Sequence, residues 1–133
     1  MVNAQALNEE VRSFLAAYTR EFSSRSGARI ASLYHAPCLT VRGDGTVHSL
    51  QAPQDVERFF EGVAAVYARE GAHSEGRYKN LEVHPIGGRS VLVTVDWELR
   101  REDGSVIREW RQSYNLLRGE AGWQVLLSTF HLS

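Results

Sequence analysis

The chain has 133 residues, 43% of them hydrophobic and 23% charged, which is the make-up of a globular domain with a core to bury and excludes a disordered chain. The net charge is -1, and the basic residues are scattered and nearly all Arg, so nothing here draws the chain to nucleic acid or to an anionic membrane. Cys38 is the only cysteine, which excludes an internal disulfide, and no apolar run approaches the ~20 residues of a membrane span.

Met1 to Leu7 lacks the basic-then-apolar build of a secretion signal, so a cytoplasmic location is expected. Val11, Phe14, Leu15, Tyr18 and Phe22 then share one face of a first helix, which Asn3 or Asn8 can cap and Gly27 can stop. A short second helix is expected over 28–34, ended by Pro37. Two short strands follow, around 38–42 and 46–50, joined by the turn Gly43-Asp44-Gly45. Cys38 lies in the apolar run of the first of them, where a buried structural thiol is expected. Pro53 suits the first position of a third helix, with Val56, Phe59, Phe60, Val63 and Tyr67 on one face and Gly71 at its close. The remainder reads as four strands, over 78–84, 90–101, 106–118 and 123–132.

No repeat or linker interrupts this order, so residues 1–133 form one domain. Its class is α+β: three helices from the N-terminal half on the concave face of a curved, mostly antiparallel sheet of about six strands. A cone-shaped cavity is expected between the layers. No cofactor or metal is implied, because His35, His48, His73 and His84 are dispersed and no pair has metal-ligand spacing.

Three stretches carry a family resemblance: Ile30-Ala31-Ser32-Leu33-Tyr34-His35-Ala36-Pro37, then Gly43-Asp44-Gly45-Thr46 followed by Pro53 to Gly71, then Arg118 through Gly122-Trp123-Gln124-Val125. In order and spacing they resemble the NTF2-like superfamily (SnoaL-like, cystatin-like α+β fold), over nearly the whole chain. The resemblance implies a fold, a pocket and often a dimer, but not one activity. In its ketosteroid isomerase-like members a carboxylate base ends the first strand, where Arg42 stands here. A protonated acid sits on the penultimate long strand, where Ser113 stands. Only the tyrosine of the first helix has a counterpart, Tyr18.

Strand register decides which polar groups face the cavity. Glu102-Asp103-Gly104 reads as a three-residue loop with Gly104 left-handed, which sets Arg101 opposite Ser105, Trp97 opposite Glu109 and Glu98 opposite Arg108. A two-residue loop would set Glu98 against Glu109, two like charges. The first register puts Val91, Val93, Val95, Trp97 and Leu99 inside. It adds Glu109, Arg111, Ser113 and Asn115 from the next strand. A five-residue loop pairing Leu117 with Trp123 then turns Val125, Leu127, Thr129 and His131 inward. The expected pocket is therefore Tyr18, Trp97, Glu109, Arg111, Ser113, Asn115, Thr129 and His131. Glu109, Arg111, His131 and Tyr18 are the candidates for acid–base chemistry, against a plainer reading in which Glu109 pairs with Arg111 and His131 is a solvated end residue.

The same register turns Trp110, Tyr114, Leu116, Leu126, Phe130 and Leu132 outward, too large an apolar area to leave wet, so a homodimer through that face is expected. A register error would turn these residues to the core instead. Three functions remain open: a domain binding a small, partly apolar molecule; an isomerase, dehydratase or cyclase using His131 or Glu109 as base; or a non-enzymatic interaction module.

Overall fold

The computed structural model describes residues 3–72 and 76–131. Helix α1 (Ala4–Ser23) starts where Asn3 accepts hydrogen bonds from the Gln5 and Ala6 N–H groups, and buries Leu7, Val11, Phe14, Leu15 and Tyr18. It ends before the expected glycine stop: Arg25, not Gly27, takes the left-handed backbone conformation, at φ 61°. Gly27 opens α2 (Gly27–Ala31) instead. There its N–H donates to the Glu61 carboxylate at 3.1 Å, and an added β-carbon would overlap the Glu57 carbonyl oxygen. The glycine serves close helix approach.

Strand β1 (Tyr34–Val41) begins earlier than expected, and Pro37 lies within it. The strand accommodates this proline because its register on its neighbour is broken between Tyr34 and Leu39, so no ladder bond is asked of the missing N–H. Strand β2 (Val47–Leu50) completes the first hairpin. Helix α3 (Pro53–Arg69) has proline in its first turn, Asp55 accepting from the Ala52 N–H at 3.0 Å, and Gly71 at φ 80° beyond its end.

The remaining strands are β3 (Arg77–Pro85), β4 (Ser90–Arg100), β5 (Val106–Gly119) and β6 (Gly122–Phe130). The sheet order is β2-β1-β6-β5-β4-β3, antiparallel except for the pairing of β1 with β6. The helices pack on one face, around a core that includes Val11, Leu15, Ile30, Val56, Val93 and Leu116. This is the expected α+β cone.

The expected turn at Glu102-Asp103-Gly104 is present: the Arg101 N–H donates to the Ser105 carbonyl, and Gly104 has φ 89°. The register beyond it is not the expected one. Arg100 faces Val106 but Leu99 faces Arg108, so Ile107 is an extra residue, a β-bulge. From there on Trp97 faces Trp110 and Glu98 faces Glu109. Those like charges are tolerated because Arg100 and Lys79 hold the Glu98 carboxylate, at 2.6 and 3.4 Å. A second correction lies between β5 and β6, where the loop is only Glu120-Ala121 and Arg118 faces Trp123. Leu126 is a second extra residue, since Leu116 faces Val125 while Asn115 faces Leu127. Val125 thus points inward as expected, and Ser128 and Phe130 follow it in place of Leu127 and Thr129.

Candidate functional site

The two bulges bring a different set of side chains into the cone. Tyr18 and Phe22, one turn apart on α1, form its roof with Phe60, Val63 and Tyr67 of α3. Trp97 and Leu99 enter from β4, and Trp110, Gln112 and Tyr114 from β5. Ser128 and Phe130 come from β6, and Tyr34, Thr40 and Arg42 from β1 and the residue after it. They enclose a cavity of about 70 Å³. Several waters fit such a space, at ~10–15 Å³ each, whereas a benzene-binding cavity measures ~150 Å³. A ring therefore enters only part-way unless the walls give.

The inner end is a cluster of buried hydroxyls. Tyr18 and Tyr34 hydrogen-bond to each other at 2.8 Å, and Trp97 Nε1 donates to the Tyr114 hydroxyl at 2.8 Å. Tyr18 stacks on Trp97 with ring centroids 5.8 Å apart. Burial raises the pKa of all three tyrosines well above the usual phenol value, so each stays protonated. Along the sheet, Trp110 Nε1 donates to Gln112 Oε1 at 2.9 Å, and Gln112 Nε2 to Ser128 Oγ at 2.7 Å. One hydroxyl is left over: Thr40 is 2% exposed and its Oγ1 has no hydrogen-bond partner among the described residues.

The outer end carries two arginines. Arg25 donates to the Ala72 carbonyl. Arg42 lays its guanidinium over the Phe130 ring, 4.5 Å from the centroid, and Phe130 in turn stacks on Trp110. Among the described residues no carboxylate lies within salt-bridge distance of Arg42.

Of the expected pocket residues, Tyr18 and Trp97 line the cavity and the others do not. Glu109 is exposed, and Arg111 is bound to Asp96 at 2.9 Å and to Glu82. Ser113 bridges Thr94 at 2.7 Å and His131 Nε2 at 2.8 Å. Asn115 donates to Ser90 at 2.8 Å, and Thr129 faces Ser113. These residues belong to the outer face of the sheet, because the extra Ile107 and Leu126 reverse the alternation. Glu109 and Arg111 do come together with Lys79, Asn80 and Asp96, but in a separate polar depression.

The expected dimer residues are corrected by the same shift. Tyr114 and Leu116 are buried in the core, and Trp110 and Phe130 line the cavity. Leu126 sits at the bulge, and Leu132 lies outside the described residues, as does His73. Among the described residues no group of histidine, cysteine and carboxylate side chains is arranged to hold a metal, and no helix is long and apolar enough to cross a membrane. Of the ketosteroid isomerase-like positions, Arg42 and Tyr18 do line the cavity, while Ser113 faces away from it.

Residues 8–132 match the profile of a family described as NTF2-like protein (DUF6841). The chain belongs to this NTF2-like family. No match was found among curated proteins. This NTF2-like domain is similar in fold to several solved structures. A Nostoc punctiforme protein of unknown function with a cystatin-like fold aligns with a TM-score of 0.77 and 10% identity, over 99% of this chain and 94% of that one. Aln2 from a Streptomyces species aligns at 0.76 and 17%, again over 99% and 94%. An NTF2-like protein from Novosphingobium aromaticivorans aligns at 0.73 and 15%, over 94% and 80%. At these identities the likeness is one of fold.

Proposed function

We propose that this NTF2-like domain binds a small, partly apolar molecule in the cavity between sheet and helices. The observation that carries the reading is Thr40: a buried hydroxyl without a partner, in the wall of an aromatic cavity. Leaving such a group unpaired costs about 1–3 kcal/mol, a penalty that a ligand atom on Oγ1 would remove. Trp97 and Trp110 are built-in reporters. In a screen of one-ring compounds, binders should shift their emission and raise the melting temperature. Thr40→Val keeps the shape and deletes the orphan, so the free protein should gain on the order of 1 kcal/mol in urea while losing affinity. Val63→Phe should fill the cavity and abolish binding with the fold intact. A screen in which no compound moves either signal sinks the reading.

An isomerase, dehydratase or cyclase is the second reading, favoured by the Tyr18, Tyr34 and Tyr114 hydroxyls. Kept protonated, such groups are suited to donate to a carbonyl oxygen as it gains negative charge. A cytoplasmic location, and a dimer through the outer face of the sheet, remain part of the proposal. That face carries exposed Leu39 and its neighbour Leu127, and light scattering on the purified protein tests the dimer.

A further inference from the structure

Resting on the ligand-binding reading, we propose that the ligand is a flat one-ring acid whose carboxylate is held by Arg42 at the outer end of the cavity. Three observations converge on this class. The first is the state of Arg42. Its guanidinium carbon lies 4.5 Å from the Phe130 ring centroid, which holds the group at the cavity wall while its N–H donors stay uncommitted to other described residues. Side-chain hydrogen bonds from Arg42 to other described residues are lacking, whereas Arg25 beside it is engaged by the Ala72 carbonyl. A guanidinium with its fork of donors free is the partner that a carboxylate fits in bidentate fashion.

The second is the balance of charge. Glu98 is the one carboxylate among the described lining residues, and Arg100 and Lys79 already neutralise it, leaving the lining with net positive charge. The third is shape. The wall next to Arg42 is made of the rings of Trp110 and Phe130, stacked on each other with centroids 6.0 Å apart and planes 11° from parallel, so the surface beside the guanidinium is flat and aromatic. A cavity of about 70 Å³ takes the leading edge of one ring and leaves its charged substituent outside, where Arg42 lies. Thr40 stands two residues inward on the same strand face, ~7 Å deeper at the usual strand rise. A ring substituent with a polar atom would meet its unpaired hydroxyl there once the walls give to admit the ring.

The test is calorimetric titration of the full chain with benzoate, 4-hydroxybenzoate and trans-cinnamate, each beside its uncharged primary amide. At least one acid should bind about tenfold or more tightly than its amide, as expected for one charge-assisted contact. The preference should shrink as salt is raised from about 0.02 to 0.5 M. Arg42→Gln should bring acid and amide to equal affinity, while Arg111→Gln on the outer face leaves the preference intact. Amides that bind as well as the acids would overturn the carboxylate assignment and leave the cavity reading standing. If the acids and amides all fail, while larger neutral compounds bind and are excluded by Val63→Phe, the one-ring acid falls alone. If nothing binds at all, both readings fall together.

Discussion

At the scale of single residues, Glu98 shows how charge misleads when its partners are counted too narrowly. A glutamate opposite Glu109 looks repulsive on a two-strand view, and that view selects Arg108 as the partner. The real environment has Arg100, two residues along the same strand, and Lys79 from the strand on the other side. The Arg100 guanidinium, and secondarily Lys79, hold the Glu98 carboxyl below the usual carboxylate range. A carboxyl whose folded-state pKa is depressed adds stability above its unfolded-state value and loses it as the pH falls through the folded-state value. Wild-type protein should therefore lose urea resistance on moving from pH 7 to pH 3 by more than Glu98→Gln does. Equal losses would mean that Lys79 and Arg100 hold Glu98 no better than solvent does. Tyr18 and Trp97 were legible as pocket residues because each lies on an element whose inward face is set by its own apolar periodicity. Arg111 and His131 were not, since their orientation is inherited from neighbouring strands.

At the scale of elements, what could be read was local and what could not was relational. Asn3 caps α1, Pro53 opens α3 and Gly104 shapes its turn through chemistry contained within a few residues. The bulges at Ile107 and Leu126 have no such signature: both are ordinary apolar residues, and a bulge of this kind requires no glycine. The single physical hint was the apolar line Trp110, Tyr114, Leu116 and Phe130, which a correct register had to turn toward the core. Gly27 was misread for a related reason, because a glycine after a helix resembles a stop whether its role is conformational or steric. Its lack of a side chain lets α2 meet α3 at Glu57 and Glu61. Gly27→Ala should push the two helices apart and cost about 1–3 kcal/mol in urea unfolding, the usual penalty for overpacking. A neutral or stabilising outcome would mean that α2 and α3 have room for a β-carbon at this crossing.

At the scale of the molecule, the order of elements and the two periodicities were enough to place the helices on one face of the sheet and the cavity between them. The composition of that cavity was beyond reach, because each extra residue inverts every side chain after it. Two inversions, one on either side of β5, moved Glu109, Arg111 and His131 to the outer face and Trp110, Tyr114 and Phe130 inside. The cone owes its shape to the same irregularities. Bulges at Ile107 and Leu126, and a third register break on β3 around Asn80, bend the strands and increase their twist. The features that hid the pocket from the sequence are also those that make room for it.

The parallel pairing of β1 with β6 carries a consequence for how the fold is reached. Tyr34 finds Val125 across the sheet, so the hairpin of β1 and β2 has no strand link to β3, β4 and β5 until β6 slots between β1 and β5. Chain closure of this length is slow, and a nascent chain emerging from the ribosome exposes both flanks of that vacant slot until β6 is out. A chain cut after Gly119 should retain helical circular dichroism, lose the near-ultraviolet signal of its packed tryptophans and aggregate through the open edges. Adding a synthetic peptide spanning residues 120–133 should restore the near-ultraviolet signal. A truncated chain that stays monomeric with native tryptophan packing would show that the two halves of the sheet do not depend on β6.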